Sequence, residues 1–336
     1  MSVEVSVLDP AALTEEDVDR YHALVTSAAA VDRPENPPLT RAWTHSWLTT
    51  PDTADRTTLY WSARLGGSIA GVGKLVLPGH ENGRSAEVDL RVGPEQRRRG
   101  VARALLAAMA PAAQEHDRVT LFSWIVADAP PAFLAERLGA EIVHTNHLQV
   151  LRLDGGGADR WRTPEPAGYR SVRWIGHVPD DLLELFATAK KAIQDAPLGG
   201  TATQIPVWTP ERIRAAERDL AARGVERRVV VAVHEATGEI AGLTELQFHP
   251  ERPRVGIQQD TSVRREHRGH GLGRFVKAEM LGWVTATRDL RPELVMTTTA
   301  TQNAHMRRIN EELGFELARR IQLAEIKTDA LRAALG

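Results

Sequence analysis

The second half of the chain alternates short apolar strands with longer amphipathic stretches. Alternating or valine-rich segments predict β-strands near residues 169–174, 228–234, 240–248, 254–263, 294–299 and 319–326. Apolar residues at three- and four-residue spacing predict helices over 180–191, 210–222, 271–287 and 303–313. The expected order is a strand, two helices, a three-strand meander, a helix, a strand, a helix and a final strand.

The first half repeats this order and part of the sequence. Its predicted elements are a strand at 3–8, a meander across 59–92, a helix at 101–113 and a strand at 119–126. At a fixed offset of 171 residues, windows 69–75 and 89–109 share twelve identities over twenty-eight positions with the second half. Unrelated sequences would match at about one position in fifteen to twenty. The chain is therefore predicted to be a duplicated domain.

The glycine run at residues 154–159 is the predicted boundary between the two copies, because three glycines disfavour regular structure. The predicted domains are residues 1–153 and 160–336. Each is long enough to bury a core of its own.

Composition excludes several functional classes. The 336 residues carry a net charge of −2, so nothing global favours nucleic acid or acidic membranes as partners. Cysteine is absent, which removes disulfides, thiolate metal sites and a cysteine nucleophile. No metal site is expected, since the histidines lack ligand spacing. No signal sequence or membrane-length apolar run is visible, so a cytoplasmic protein is expected.

A basic loop, Arg268-Gly269-His270-Gly271-Leu272-Gly273, lies where a predicted strand gives way to a helix. Backbone amides at a helix N-terminus attract a polyanion, and glycines allow the backbone to approach phosphate oxygens. An ordinary glycine turn with solvated arginines remains an equal interpretation of the loop alone. Rossmann and Walker motifs fit worse, because their glycine and lysine spacings are absent.

The loop in its strand and helix context resembles the acetyl-CoA motif of the GCN5-related N-acetyltransferase (GNAT) family, Gln/Arg-x-x-Gly-x-Gly/Ala. Both copies match, and Leu313-Gly314-Phe315 matches the downstream signature. The resemblance implies an α/β fold, with a mixed α+β sheet, duplicated in tandem, and acetyl-CoA as substrate. It assigns cofactor binding to Val263, Arg268, Gly269, His270, Gly271, Leu272, Gly273, Arg274, Asn303 and Asn310, and in the first copy to Arg97, Gly100 and Ala102.

The two copies are not equivalent. The first has Ala102 in place of the last loop glycine and Pro130-Pro131 where the later helix should begin, and this proline pair is expected to disturb that helix. We therefore expect a catalytic second domain. The first domain either still binds CoA or is a degenerate structural copy.

Candidate catalytic residues lie on the meander of the second domain. In the resemblance, a tyrosine usually protonates the departing thiol, but Asn310 stands at that position. If residue 245 pairs with 257, Glu245 shares a face with Gln259 and is the candidate base; a solvated strand glutamate is the alternative. Asp260 is the second candidate, and it is expected to accept backbone or hydroxyl hydrogen bonds.

The expected activity is acetyl transfer to a primary amine of a small molecule by direct attack in a ternary complex. An antibiotic or other specialised metabolite is slightly favoured as acceptor. The alternatives are a noncatalytic acyl-CoA sensor, a mycothiol-synthase-like enzyme and a protein lysine acetyltransferase. A monomer or a homodimer is expected.

Overall fold

The computed structural model of the chain describes residues 2–53, 55–153, 157–195, 199–287 and 292–336, so part of the predicted linker, 154–156, lies outside the described residues. The strands are β1 (Val3–Val7), β2 (Arg56–Leu65), β3 (Ser68–Pro78), β4 (Ser85–Val92), β5 (Thr120–Val126), β6 (Glu141–Arg152), β7 (Tyr169–Ile175), β8 (Glu226–His234), β9 (Ile240–His249), β10 (Arg252–Val263), β11 (Leu294–Ala300) and β12 (Glu316–Lys327). The helices are α1 (Glu15–Asp32), α2 (Arg41–Leu48), α3 (Val101–Glu115), α4 (Pro130–Arg137), α5 (Leu183–Lys190), α6 (Pro210–Ala222), α7 (Leu272–Ala286), α8 (Ala304–Glu312) and α9 (Thr328–Leu335).

The first of two compact units contains Met1–Thr145, Gly199–Gln204 and Arg320–Gly336. Its strands follow the order β1-β2-β3-β4-β5-β12, and β4 and β5 run parallel whereas the other neighbours are antiparallel. Helix α3 lies close to β3, because a Cβ at Gly71 or Gly73 would approach its side chains to 2.8 Å or 3.1 Å. The intervening Val72 points to the opposite face and packs in the cluster that contains residues of α1 and α2.

The second unit contains Asn146–Leu198 and Ile205–Arg319. Its strand order is β7-β8-β9-β10-β11-β6, again with a single parallel pair, β10 and β11, among the described pairings. Val230 packs with the residues of α7, and Val229 and Val231 pack with those of α5 and α6. Burial on both faces explains why residues 229–233 of β8 are continuously apolar instead of alternating.

Each unit completes its sheet with the last strand of the other half of the sequence. Residues 146–152 of β6 pair with β11, and residues 321–327 of β12 pair with β5. Helix α9 also belongs to the first unit, where Leu331 is buried in the core. The predicted division into 1–153 and 160–336 therefore needs correcting at these segments, because strand pairing between distant residues leaves no mark on local periodicity.

In both units the parallel strands separate after three paired residues. Residues 85–87 of β4 pair with 120–122 of β5, and residues 255–257 of β10 pair with 294–296 of β11. Beyond these residues, no pairing between described residues joins the two parallel strands of either unit. The space between the separated ends of β4 and β5, and between those of β10 and β11, is called the gap of each unit below. It lies on the side of the predicted phosphate loop, because β4 and β10 lead directly into the loops.

Candidate functional site: two phosphate loops

A left-handed glycine begins the helix that follows each loop. Gly100 (φ 84°) is the N-cap of α3 and Gly271 (φ 73°) is the N-cap of α7. The second unit has a further left-handed glycine at Gly269 (φ 86°), where the first unit holds Arg98 in the left-handed region at φ 61°. A residue with a long side chain rarely adopts this conformation. That Arg98 adopts it indicates that the first unit keeps the backbone geometry of the loop.

Open space lies in front of both loops. A Cβ atom at Gly100, Gly269 or Gly271 would meet no atom within 4 Å. The first amides of α3 and α7 lack partners inside the helix and carry the positive end of the helix dipole. Leu272, Gly273 and Ala102 contribute backbone to these first turns. The arrangement can bind a pyrophosphate through backbone amides.

The first arginine of each loop is held in the same way. Arg268 Nε donates to the Val263 carbonyl at 3.2 Å, and its Nη2 lies 2.5 Å from the Asp195 carboxylate. Arg97 Nε donates to the Val92 carbonyl at 3.4 Å, and its Nη2 lies 2.8 Å from Asp32. The hydrogen bond from Arg268 lowers the pKa of Asp195. Each carboxylate therefore orients a cation at the mouth of its loop.

Other loop side chains have different roles in the two units. Arg274 lies 3.5 Å from Glu312, whereas its counterpart Arg103 donates to the carbonyls of Ala334 and Leu335 at the end of α9. A cation at a helix C-terminus is favourable. Arg103 therefore fastens α9 to the first unit.

A series of polar contacts, called the His267 relay below, links side chains next to the loop of the second unit. The Tyr169 hydroxyl lies 3.0 Å from Nδ1 of the buried His267, whose Nε2 lies 3.7 Å from Glu239. Glu239 lies 3.2 Å from Arg264. The loop residue His270 packs against the Tyr169 ring at 5.5 Å. At the offset of 171, Gln96 takes the place of His267 in the first unit.

The gap of the first unit contains two cavities of about 720 Å³ and about 390 Å³. The larger is lined by the loop residues Arg97, Arg98, Gly100, Val101, Ala102 and Arg103. The smaller lies beside Asp89, Arg91 and Trp124. Both are lined by Leu90 and Arg97, so a ligand held at the loop can extend into the separation between β4 and β5.

The register of β9 and β10 differs from the prediction. Ile257 pairs with Gln247, and pairing resumes at Thr261 with Thr244 after a bulge. Glu245 consequently lies across from the bulge residues Gln259 and Asp260. The predicted pairing of 245 with 257 was wrong, because a bulge inserts an extra residue that hydrophobic patterning does not reveal.

Glu245 lies inside an ion cluster. Its carboxylate accepts a hydrogen bond from the ammonium of Lys190 on α5 and lies 3.5 Å from Arg227. Lys190 also donates to Asp260 at 2.9 Å. The side chains of Lys190 and Glu245 are each 4% exposed, whereas Asp260 is 35% exposed. Burial opposes the charge of Lys190, but the two carboxylates outweigh it and raise its pKa.

This cluster revises the expectation for the candidate base. Glu245 is already neutralised by two cations, and Asp260 accepts from an ammonium instead of a backbone or hydroxyl donor. Gln259 is exposed on the strand, and its amide donates to the Ile257 carbonyl at 3.3 Å. The accessible carboxylate on this surface is Asp260. The sequence could not identify Lys190, because its contact with β9 and β10 is tertiary.

The first unit arranges the equivalent charges differently. Lys74, at the position of Glu245, pairs across the strands with Asp89 and lies 4.9 Å from the ring centre of Trp47. Asp89 binds Arg91 at 3.0 Å. Burial lowers the pKa of Lys74. Asp89 thus has two cationic neighbours, and no glutamate stands at position 74.

The helix that follows the gap also differs between units. Pro130 and Pro131 are the first residues of α4, so the predicted disturbance was wrong; proline is tolerated in a first turn, where its missing amide has no helical partner. In the second unit Asn303 is the N-cap of α8 and accepts from the Met306 amide at 3.1 Å. Asn310 is fully buried and donates to Gln149 and Thr299 at 2.9 Å and 3.0 Å.

Lys277 is a buried cation that sequence analysis missed. It is 2% exposed on α7, and burial lowers its pKa to about 7. Its ammonium lies 5.3 Å from the centre of the Phe315 ring. At the offset of 171 the first unit has Leu106. Lys277 could therefore have been found by comparing the two halves, but not from hydrophobic periodicity, which treats a lysine as a surface residue.

Within the described ranges, no group of three or more histidine, aspartate or glutamate side chains is placed to hold a metal ion. The helices in the same ranges are all too short or too polar to cross a membrane.

Comparisons with known proteins agree with the duplicated architecture. A tandem GNAT protein from the clavulanic acid biosynthesis pathway, solved without AcCoA, is 29% identical, with 97% of this chain and 99% of that chain covered and a TM-score of 0.80. A GCN5-related N-acetyltransferase from Sphaerobacter thermophilus shares the fold at 17% identity, with 97% and 96% covered and a TM-score of 0.72. Comparison with curated proteins found no match.

The sequence pattern of the acetyltransferase (GNAT) family matches two separate regions, residues 25–139 and 197–315. Each region contains one of the two predicted phosphate loops, and together they span more than half of the chain. The chain therefore belongs to the acetyltransferase (GNAT) family.

Proposed function

We propose that the protein transfers an acetyl group from acetyl-CoA to a primary amine of a small molecule, and that the second unit carries out the chemistry. The observation that carries this proposal is the partly exposed Asp260 carboxylate, fixed by Lys190 at the bulge of β10. The bulge lies three residues before Val263, where the strand leads into the loop. A base and a phosphate cradle on one strand suit direct attack in a ternary complex.

Acetyl-CoA is proposed to bind with its pyrophosphate on the first amides of α7. Gly269 and Gly271 give the phosphates room, and Arg268 and Arg274 supply positive charge. The pantetheine arm would follow β10 from Val263 into the gap beside β11, toward α8, whose N-cap is Asn303 and which carries Asn310. The His267 relay keeps the loop in position.

Asp260 is proposed to accept the proton of the acceptor ammonium. Lys190 is anchored by Glu245, so the Asp260 carboxylate keeps one orientation, and its other oxygen is the one proposed to take the proton. Glu245 becomes a positioning residue and not the base. Exposed Ile257 and Gln259 flank the acceptor on the same strand. The deprotonated amine then attacks the thioester carbonyl.

The first unit is proposed to bind acyl-CoA without catalysing transfer. Its loop geometry and its cavities are suited to the ligand, but Arg91 pairs with Asp89 at 3.0 Å and Lys74 takes the place of Glu245. This observation also favours the second candidate function, an acyl-CoA sensor in which both loops bind ligand and neither transfers acetyl.

The acceptor is proposed to be an antibiotic or another specialised metabolite. Support comes from the 29% identical tandem protein, which belongs to the biosynthesis pathway of clavulanic acid. The cluster around Asp260 balances its carboxylates with Lys190 and Arg227. A balanced cluster suits an acceptor with one ammonium better than a polycation.

The test is thiol release from acetyl-CoA in the presence of a panel of small amines, with a lysine peptide as comparison. We expect amine-dependent release, with the acetylated product identified by mass. Preference for the peptide would favour a protein acetyltransferase. Silence across the panel, together with stoichiometric CoA binding, would favour the sensor and contradict the proposed transfer.

A further inference from the structure

Lys277 places a lone amine in the apolar core of the second unit. The helix around it contributes Phe275, Val276 and Ala278 to this core. Among the described residues, its assigned interaction is with the face of the Phe315 ring at 5.3 Å. A buried cation without a carboxylate is costly, and such groups are kept rarely unless they serve a function.

The repeat shows where this amine lies. Leu106 corresponds to Lys277 by the offset that relates the two loops, and Leu106 lines the smaller cavity of the first unit. Further along, Leu138-Gly139 corresponds to Leu313-Gly314 at an offset of 175 residues, four more than at the loops, and both glycines are left-handed.

The neighbouring positions follow from the same alignment. Ala135 and Ala140 correspond to Asn310 and Phe315, and both alanines line that cavity. One corner of the gap between the parallel strands is therefore apolar in the first unit. By this alignment, the corresponding positions of the second unit carry the amine of Lys277 and the amide of Asn310.

The amide supplies a separate indication of a ligand. Asn310 is fully buried, and its Nδ2 donates to Gln149 and Thr299, but its Oδ1 has no hydrogen-bond partner. A buried acceptor left unpaired has a cost in stability. A polar atom of a bound molecule at this corner would remove that cost.

We propose that Lys277 is a catalytic residue that protonates the departing thiol of CoA, at the place where the resemblance leaves Asn310 instead of tyrosine. This inference rests on the proposed function. When the acceptor nitrogen has bonded to the acetyl carbon, the C–S bond breaks and its electron pair passes to sulfur. Sulfur takes a proton from the Lys277 ammonium, and the neutral lysine regains a proton from solvent. The acceptor nitrogen, which carries one extra proton after the attack, releases it to solvent to give the neutral amide. The Oδ1 of Asn310 accepts from the newly formed thiol.

Burial supports this role, because it lowers the pKa of Lys277 to about 7. An ammonium with that pKa gives up its proton far more readily than an exposed lysine. General acids are most effective when their pKa lies near the working pH.

The experiment replaces the amine with the residue of the first unit. Lys277→Leu is compared with the wild-type chain and with Leu281→Met, a buried change one turn further along α7 that keeps the amine. Turnover is measured with acetyl-CoA and with its selenoester analogue, whose selenolate leaves without a proton at neutral pH. Melting temperature and calorimetric affinity for CoA report folding and binding.

We expect Lys277→Leu to lower kcat with acetyl-CoA by about 10²-fold, the usual contribution of a general acid. With the selenoester, Lys277→Leu should turn over at nearly the wild-type rate. Its affinity for CoA should equal that of the wild type, and Leu281→Met should show wild-type turnover with both donors. Equal losses with both donors, or no loss with acetyl-CoA, would overturn the assignment of Lys277 alone. A wild-type chain that releases no thiol with any amine would instead refute the proposed function, and this inference with it.

Discussion

The two units share the backbone geometry of their proposed phosphate loops but differ in the side chains that surround the gap. Gly100 and Gly271 begin their helices with the same left-handed geometry, although one loop contains Arg98 where the other has Gly269. Backbone amides bind phosphate regardless of side chain, so a cradle survives extensive substitution. Proton transfer depends on particular side chains, and these differ between the units. Under the proposed function, binding and catalysis have therefore diverged separately within one duplicated fold.

The largest expected effect separates the two strand aspartates. Asp260→Asn should lower kcat by about 10²-fold or more, because the amide cannot take the proton of the acceptor. The matched Asp89→Asn should leave turnover unchanged, since the first unit is proposed to bind without catalysing. Steady-state thiol release checks both variants, with melting curves as a folding control. Equal losses in both variants would remove the functional distinction between the units.

Helix α9 lies at the end of the sequence but packs in the core of the first unit, so a substitution in α9 should change the stability of that unit. Leu331→Ala should destabilise the first unit by about 2–5 kcal/mol, because a buried leucine side chain leaves a cavity. The exposed Leu317→Ala is the control and should have little effect. Hydrogen exchange measures the result. Protection should fall first in β2 to β5, and a selective loss in β8 to β11 would contradict the assignment of α9.

Lys277 should give the second unit a distinct pH dependence. Its folded-state pKa of about 7 lies below its ordinary value of 10.5, so between these values the unfolded chain holds one more proton. Stability should therefore rise with pH by about 1.4 kcal/mol per unit in that interval.

In Lys277→Leu this contribution should vanish, and the variant should be more stable than the wild type at pH 7. Denaturant unfolding at several pH values, followed in the second unit by hydrogen exchange, provides the measurement. An unchanged slope in the variant would show that Lys277 is not the buried titrating group.

The smallest expected effect concerns the relay behind the second loop. His267→Gln introduces the residue of the first unit and removes the hydrogen bond to Tyr169, worth about 1 kcal/mol. The Kd of the second site for CoA should rise about fivefold, as the loop becomes less ordered. Tyr169→Phe should have the same effect in calorimetry. Weaker binding in only one of the two variants would argue against a shared relay.

Local patterns predicted the tandem fold, and the family comparison confirmed it. The loops could be predicted because glycine between a strand and a helix has a local conformational cause. The bulge at Gln259 and Asp260, the ion partner Lys190 and the exchange of β6 and β12 could not be predicted. Each depends on contacts between residues far apart in the sequence, which hydrophobic periodicity does not encode.

We propose that the chain has two CoA cradles and one catalytic centre. The most direct test measures acetyl-CoA stoichiometry and thiol release for the wild type, Gly100→Val and Gly271→Val. A β-branched residue strains the left-handed position and obstructs the space before the amides. We predict two sites in the wild type, one in each variant, and loss of turnover in Gly271→Val alone. Turnover that is lost in Gly100→Val and kept in Gly271→Val would contradict the account.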